Sequence, residues 1–109
     1  MDTDARSAGG RYEAVSPLGS TPGRKRALAP RLATLEGKTI GQLWNWMFYG
    51  DVMFPIIEEL MRARYPGVRF VPYTVFGTTH SATEREDIAA LPAKLAAHEV
   101  DAVISGLGC

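Results

Sequence analysis

From Lys38 onward the apolar positions switch between short β-prone runs and a helical spacing, whereas before it they hold no sustained period. Thr39-Ile40-Gly41-Gln42-Leu43-Trp44 follows Gly37 and reads as a first strand ending at Asn45. An unusually aromatic connection, Trp46-Met47-Phe48-Tyr49-Gly50, leads into a run from about Asp51 to Arg64. In that run Met53, Phe54, Ile57, Leu60 and Met61 recur at helical spacing. Asp51 is placed to cap this helix, and Pro55 is tolerated in or near its first turn. Glu58 and Arg62 stand four apart in the favourable order, and Tyr65-Pro66-Gly67 stops the helix.

Residues 68–75 read as a second strand, which Pro72 pushes to a sheet edge or breaks. Ser81 with Glu84 and Thr83 with Glu86 form two overlapping capping boxes, predicting a helix that buries Ile88, Leu91 and Leu95. Pro92 is expected to kink that helix or divide it in two. Residues 100–105 form a compact apolar run suited to a buried parallel strand, followed by Gly106-Leu107-Gly108-Cys109. Strands alternating with helices of this length predict an α/β fold: a partial open parallel sheet in βαβαβ order, Rossmann-like or flavodoxin-like, and incomplete.

Residues 1–34 carry Gly9-Gly10, Pro17, Gly19, Pro22-Gly23 and Pro30 and are read as a flexible arm, with a short helical turn over Leu28 and 32–35. Within the arm, residues 12–19 can lie extended across a neighbouring surface. The remaining 35–109 segment, about 75 residues, is near the size at which a single core becomes marginal, so a missing segment or a homo-oligomer partner fits.

Twelve basic residues balance twelve acidic ones, which gives no global electrostatic reason to bind nucleic acid or an anionic membrane. Arg24-Lys25-Arg26 is a short solvated charge run. The first residues lack an apolar signal core, no run approaches membrane-spanning length, and one cysteine cannot close an internal disulfide. A reducing cytoplasm is the compartment these features fit.

In an open parallel sheet the loops after the strands' carboxyl ends share one edge, where ligands collect. Here that edge brings together 45–50, 77–80 and 106–109, and the candidate site-lining residues are Asn45, Thr79, His80, Gly106, Gly108 and Cys109. Asn45 is placed either to bind a ligand or to fix a loop. Gly106 and Gly108 make either a tight structural turn or part of a phosphate cradle, one that lacks the third glycine and the following helix. Trp44, Trp46, Phe48 and Tyr49 either stack on a planar ligand or pack over the sheet.

His80 has no identifiable carboxylate partner, so a role in binding an anion or moving protons stands beside a structural one. His98 suits a helix C-terminus. Two histidines and one cysteine without ligand spacing predict no metal, and no cofactor is named by the residues. Cys109 carries the terminal carboxylate, whose charge opposes a thiolate; followed by a helix, the same turn becomes a reactive site.

Four segments taken in order resemble the UGSC family of selenoproteins and their cysteine homologues. They are Leu35-Glu36-Gly37-Lys38-Thr39-Ile40-Gly41, Phe54-Pro55-Ile56-Ile57-Glu58-Glu59, Arg64-Tyr65-Pro66-Gly67-Val68, and the stretch from Asp101 through Ser105-Gly106-Leu107-Gly108-Cys109. The likeness begins at about Tyr12 and includes Val15-Ser16-Pro17-Leu18-Gly19. It implies a selenocysteine (or cysteine)-Gly-Ser-Cys motif directly after a strand and glycine turn like this one, with redox or reductive chemistry. That motif is similar to those of glycine- and proline-reductase selenoproteins.

No motif residue can be carried over to this sequence. The expectation is a chain that ends where an in-frame UGA codon was read as stop, one residue short of the selenium, and is itself inactive. Its complete form would act on an unknown small-molecule substrate or redox partner. The alternative is a small-molecule or anion-binding module, or one subunit of a split α/β protein.

Overall fold

A computed structural model describes residues 10, 12–19 and 23–109. The chain divides into two units, Met1–Pro30 and Arg31–Cys109. The described residues of the first contain a turn at 17–18 but neither helix nor strand, and Tyr12, Val15, Leu18 and Leu28 are almost fully exposed. The rest of the arm segment lies outside the described residues. No helical turn forms over 28–35; the chain there is irregular until a turn at 36–37, and Pro30 withholds one of the amides such a turn needs.

The second unit runs β1 (Thr39–Trp44), α1 (Gly50–Arg64), β2 (Arg69–Val71), a 3-10 turn (Tyr73–Val75), α2 (Glu84–Ala97) and β3 (Ala102–Gly106). Its sheet is three-stranded and parallel, in the order β2-β1-β3. That order is the start of a flavodoxin-like sheet rather than of a Rossmann sheet. The two crossovers, β1 to β2 and β2 to β3, run in opposite directions across the sheet, and with right-handed connections they place α1 and α2 on opposite faces.

Both edges of β1 are tied. Ile40 pairs with Phe70 on one side and with Ala102 on the other. At the amino end, Thr39 donates to Asp101 Oδ2 (2.9 Å) while the Asp101 amide donates back to the Thr39 carbonyl (2.8 Å). Side chains then alternate. Gly41 and Leu43 face α2, with Phe76 and Val100 so close to Gly41 that a Cβ there would lie 3.2 Å from Val100. Gln42 faces α1.

Gln42 is 1% exposed, and its Nε2 donates to Glu58 Oε1 at 2.7 Å. The second Glu58 oxygen takes Arg62 at 3.2 Å, the i,i+4 pair legible in the sequence. Arg62 in turn lies over the Phe70 ring of β2, 5.2 Å from its centroid. A buried amide in the central strand therefore selects which polar residue of α1 faces the sheet, and one guanidinium ties that helix to the neighbouring strand.

Several expected details differ. α1 starts at Gly50 with Tyr49 as its N-cap and no side-chain cap, so Asp51 sits inside the first turn instead of capping it. The cause is steric: a Cβ on Gly50 would lie 2.6 Å from Trp44, so only glycine lets the helix begin against that ring. This earlier start puts Pro55 in the second turn, at an exposed position where water can satisfy the carbonyl left without a donor.

β2 stops at Val71, and Pro72 turns the chain into the 3-10 segment, so proline acts both as a break and on an edge strand. Neither expected capping box forms. Ser81 Oγ accepts from the Thr83 amide, and Thr83 Oγ1 donates to Asp87 instead of pairing with Glu86. α2 runs unbroken through Pro92, which is exposed. Leu91 and Leu95 are only half-buried, Ile88 is 47% exposed, and α2 buries no residue completely. β3 begins two residues later than expected and is not buried: it pairs with β1 alone, and its residues alternate between half-buried and exposed.

Removing the acceptor for Gln42 should cost more than removing the exposed half of the ion pair. Urea unfolding of Glu58→Ala is expected to show a loss of about 1–3 kcal/mol, the penalty for stranding a buried amide donor. Arg62→Ala should lose less than about 1 kcal/mol, and Glu58→Gln, which keeps the acceptor, should resemble it. The reverse ranking would mean that Gln42 does not depend on Glu58.

Candidate functional site

In a flavodoxin-like order, which β2-β1-β3 begins, the switch point falls in the crevice outside the carboxyl ends of β1 and β3. Asn45, the first residue after β1, stands there and is 8% exposed. Its backbone amide continues the ladder to the Gly106 carbonyl at 3.3 Å. Its carboxamide then grips the turn beyond β3, donating through Nδ2 to the Gly108 carbonyl (2.8 Å) and accepting the Gly108 amide on Oδ1 (3.0 Å). Oδ1 also accepts the Met47 amide at 3.3 Å. Of its two sequence readings, Asn45 performs the second: its side chain fixes a loop, and both Oδ1 lone pairs are spent on backbone amides.

Close packing explains the glycines of that turn. A Cβ on Gly106 would lie 2.7 Å from Phe48 Cζ, and one on Gly108 would lie 2.9 Å from Phe48 Cδ1. The Phe48 ring occupies the space that side chains would need. A phosphate cradle needs free amides, and here the Gly108 amide is already engaged by Asn45.

The aromatic connection packs on itself. Trp44 and Trp46 stack with centroids 4.6 Å apart, and Phe48 and Tyr73 meet Trp44 edge-on at 5.8 and 4.9 Å. Tyr73 belongs to the 3-10 turn after β2, so this cluster links the loops of β1 and β2. Trp46 adopts a left-handed φ of 62°, an unfavourable conformation for a bulky residue that its stacking offsets. The Trp44 Nε1 is buried without a hydrogen-bond partner, closed in by the ring's contact with Gly50.

The β2 loop is held by a residue that sequence reasoning did not single out. The Asp87 carboxylate accepts the Thr78 amide (3.2 Å) and the Thr83 hydroxyl (2.9 Å) and lies against Gly77, whose φ is +75°. A Cβ on Gly77 would fall 2.5 Å from that carboxylate. The available signal was a Gly-Thr-Thr run just before an acidic helix start.

Thr79 lines a cleft with Leu43, Trp44 and Asp87 that has room for about one water molecule, about 20 Å³. His80 is exposed, and its backbone amide donates to Thr78 Oγ1. The structure therefore joins Asn45, Gly106 and Gly108 directly and carries the free, exposed Cys109 at the end of their turn. Thr79 sits in a separate cleft on the α2 side. His98, at the C-cap of α2, stands edge-on to Phe76 at 6.2 Å.

Neither helix start favours an anion. The first turn of α1 carries Asp51, and that of α2 carries Glu84, Glu86 and Asp87, all opposing negative charge where the helix dipole would attract it. The arrangement is suited instead to holding one short segment, the turn after β3, in a fixed direction at the switch point.

The UGSC family model matches residues 13–109, so it takes in described residues of the arm as well as the whole sheet unit. The chain belongs to the UGSC family. No curated protein and no solved structure matches it. Among the described residues, no helix of this UGSC-family chain is long and apolar enough to cross a membrane.

Two substitutions test the clamp. Asn45→Ala removes both bonds to Gly108 and is expected to cost about 1–3 kcal/mol in urea unfolding. It should also abolish the hydrogen-exchange protection of the Gly108 amide. Asn45→Asp keeps an acceptor for that amide but places a carboxylate oxygen against the Gly108 carbonyl, so the amide should stay protected while stability falls. Unchanged exchange at Gly108 in Asn45→Ala would show that the turn is held by Phe48 packing alone.

Proposed function

We propose that this chain is the platform of a selenol or thiol site of the UGSC type, with the reactive residue supplied by a Gly-Ser-Cys-containing segment that follows Cys109. The observation that carries the reading is the paired hydrogen bond between Asn45 and Gly108 at the switch point. It fixes the direction in which the chain leaves β3, and a nucleophile delivered there stands at the sheet's carboxyl edge. Two further features support it. Among the described residues β3 has a strand on one side only, and α2 buries no residue, as elements of a larger sheet would when seen without their neighbours.

A selenol is far more acidic than a thiol and is ionised at neutral pH, so selenium suits redox or nucleophilic attack without a neighbouring base. Cys109 then stands immediately before the reactive atom and has no catalytic role of its own. The chain through Cys109 provides orientation and is inactive alone.

Turnover of a disulfide or peroxide substrate, measured side by side in this chain and in a version extended through selenocysteine (or cysteine)-Gly-Ser-Cys, tests the reading. Activity is expected only in the extended protein, with Asn45→Ala lowering kcat more than it raises KM. Equal activity in both chains overturns the proposal.

A further inference from the structure

A cavity of about 200 Å³ lies between α1 and β3, on the sheet face opposite α2. Phe48, Met53, Phe54 and Ile57 form its wall on the α1 side, and Ile104 to Gly106 form the other. Two facts set it apart from a gap between elements. Phe48 is the same ring that packs against Gly106 and Gly108, so the cavity and the clamped turn share a wall. In addition, no lining residue carries a charge, and the Ser105 side chain, in register with Leu43, lies on the α2 face, so that residue adds only backbone polar atoms to the lining.

We infer that this cavity is the seat of the site's substrate, and that the substrate is a small uncharged molecule: an aromatic or branched aliphatic body with at most one hydrogen-bonding group. The inference rests on the function proposed above in taking the ligand to be the substrate. Its chemistry follows from the lining. A carboxylate or ammonium group seated against this lining would shed part of its hydration without gaining a charged partner, which disfavours it. A zwitterionic amino acid therefore does not fit, despite the likeness of the family's motif to those of amino-acid reductases. Size follows from the volume, since an apolar cavity of about 150 Å³ holds a benzene ring and this one leaves room for a short substituent as well. Such a substituent lies next to Ser105 and Gly106, facing the turn from which the reactive residue would follow.

Three probes of nearly equal shape separate charge from size: 4-fluorobenzyl alcohol, 4-fluorobenzylammonium and 4-fluorobenzoate, titrated against the chain as it stands. Fluorine NMR should show saturable binding of the alcohol at about millimolar Kd, the strength expected for so small a ligand. Amide shifts should be confined to 104–106 and the Phe48 loop. The charged probes should bind at least about tenfold more weakly.

Met53 is 48% exposed, so Met53→Trp fills the cavity without entering the core and should abolish binding. Val52→Trp, a neighbour outside the cavity, should not. Equal affinity for all three probes, or binding that survives Met53→Trp, overturns the inference. So do shifts at 104–106 that follow protein concentration without any probe, because the groove would then be a contact between copies of the chain. None of these readouts needs the reactive residue. Failed binding removes the substrate class and leaves the redox proposal standing, while an inactive extended protein removes the redox proposal and leaves the cavity.

Discussion

β1 is the only strand in this domain bonded on both edges, and the remaining elements take their positions from it. A central strand in a small sheet must satisfy its backbone on two sides and its side chains on two faces within six residues. The sequence meets that demand with small or polar residues where larger apolar ones would be conventional. Gly41 lets Phe76 and Val100 come down on one face. Gln42 is buried on the other and requires an acceptor from α1, which Glu58 provides. A buried amide is a directional constraint, unlike an aliphatic side chain, because its bond is lost if the helix rotates or slides. The register of α1 on the sheet is thus set by a hydrogen bond, while Phe54 supplies the apolar burial beside it.

The same strand sets the geometry of the site. Where β1 ends, Asn45 continues the ladder through its backbone and extends it through its side chain. A carboxamide has one donor group and one acceptor in the geometry of a peptide unit, so Asn45 pairs with Gly108 as another strand residue would. Parallel pairing between β1 and β3 formally ends at Trp44 and Gly106, yet the turn beyond is held by the side chain. This holds the turn without a further backbone strand at that edge, leaving the space outside it open.

How much of this could be read from the sequence depended on whether a feature was local. The alternation of β-prone and helical runs marks the five main elements, and Pro72 signals an edge or a break because proline acts through its own ring and missing amide. Helix starts were misread because capping was judged from residue type. Asp51 and the Ser81 and Thr83 boxes have suitable side chains, but Trp44 fixes the start of α1, and Asp87 draws Thr83 away in α2. The burial expected of β3 and α2 failed for another reason. Among the described residues β3 pairs with β1 alone and α2 buries no residue, so their apolar positions stay part-exposed. At the site, Asn45 was legible as a polar residue at a strand's carboxyl end, whereas its partner 63 residues away was not. Asp87 went unread because the Gly-Thr-Thr run before an acidic helix start does not say which of Glu84, Glu86 and Asp87 closes the β2 loop.

The filled space behind the glycine turn also narrows the chemistry. A turn made of glycines because the chain needs unusual dihedral angles can flex, and it presents its amides to whatever approaches. Gly106 and Gly108 are required for a different reason: Phe48 sits where their side chains would be. Such a turn is rigid and gives its amides to the protein, so it suits an anchored backbone better than an anion site. Carboxylates in both helix starts act in the same direction, and the adjoining cavity between α1 and β3 has an uncharged lining. Electrostatic catalysis by fixed positive charge is thus poorly served at this edge. A nucleophile placed here would have to bring its own reactivity, as a selenolate does, and receive from the protein only direction and an apolar surface beside it.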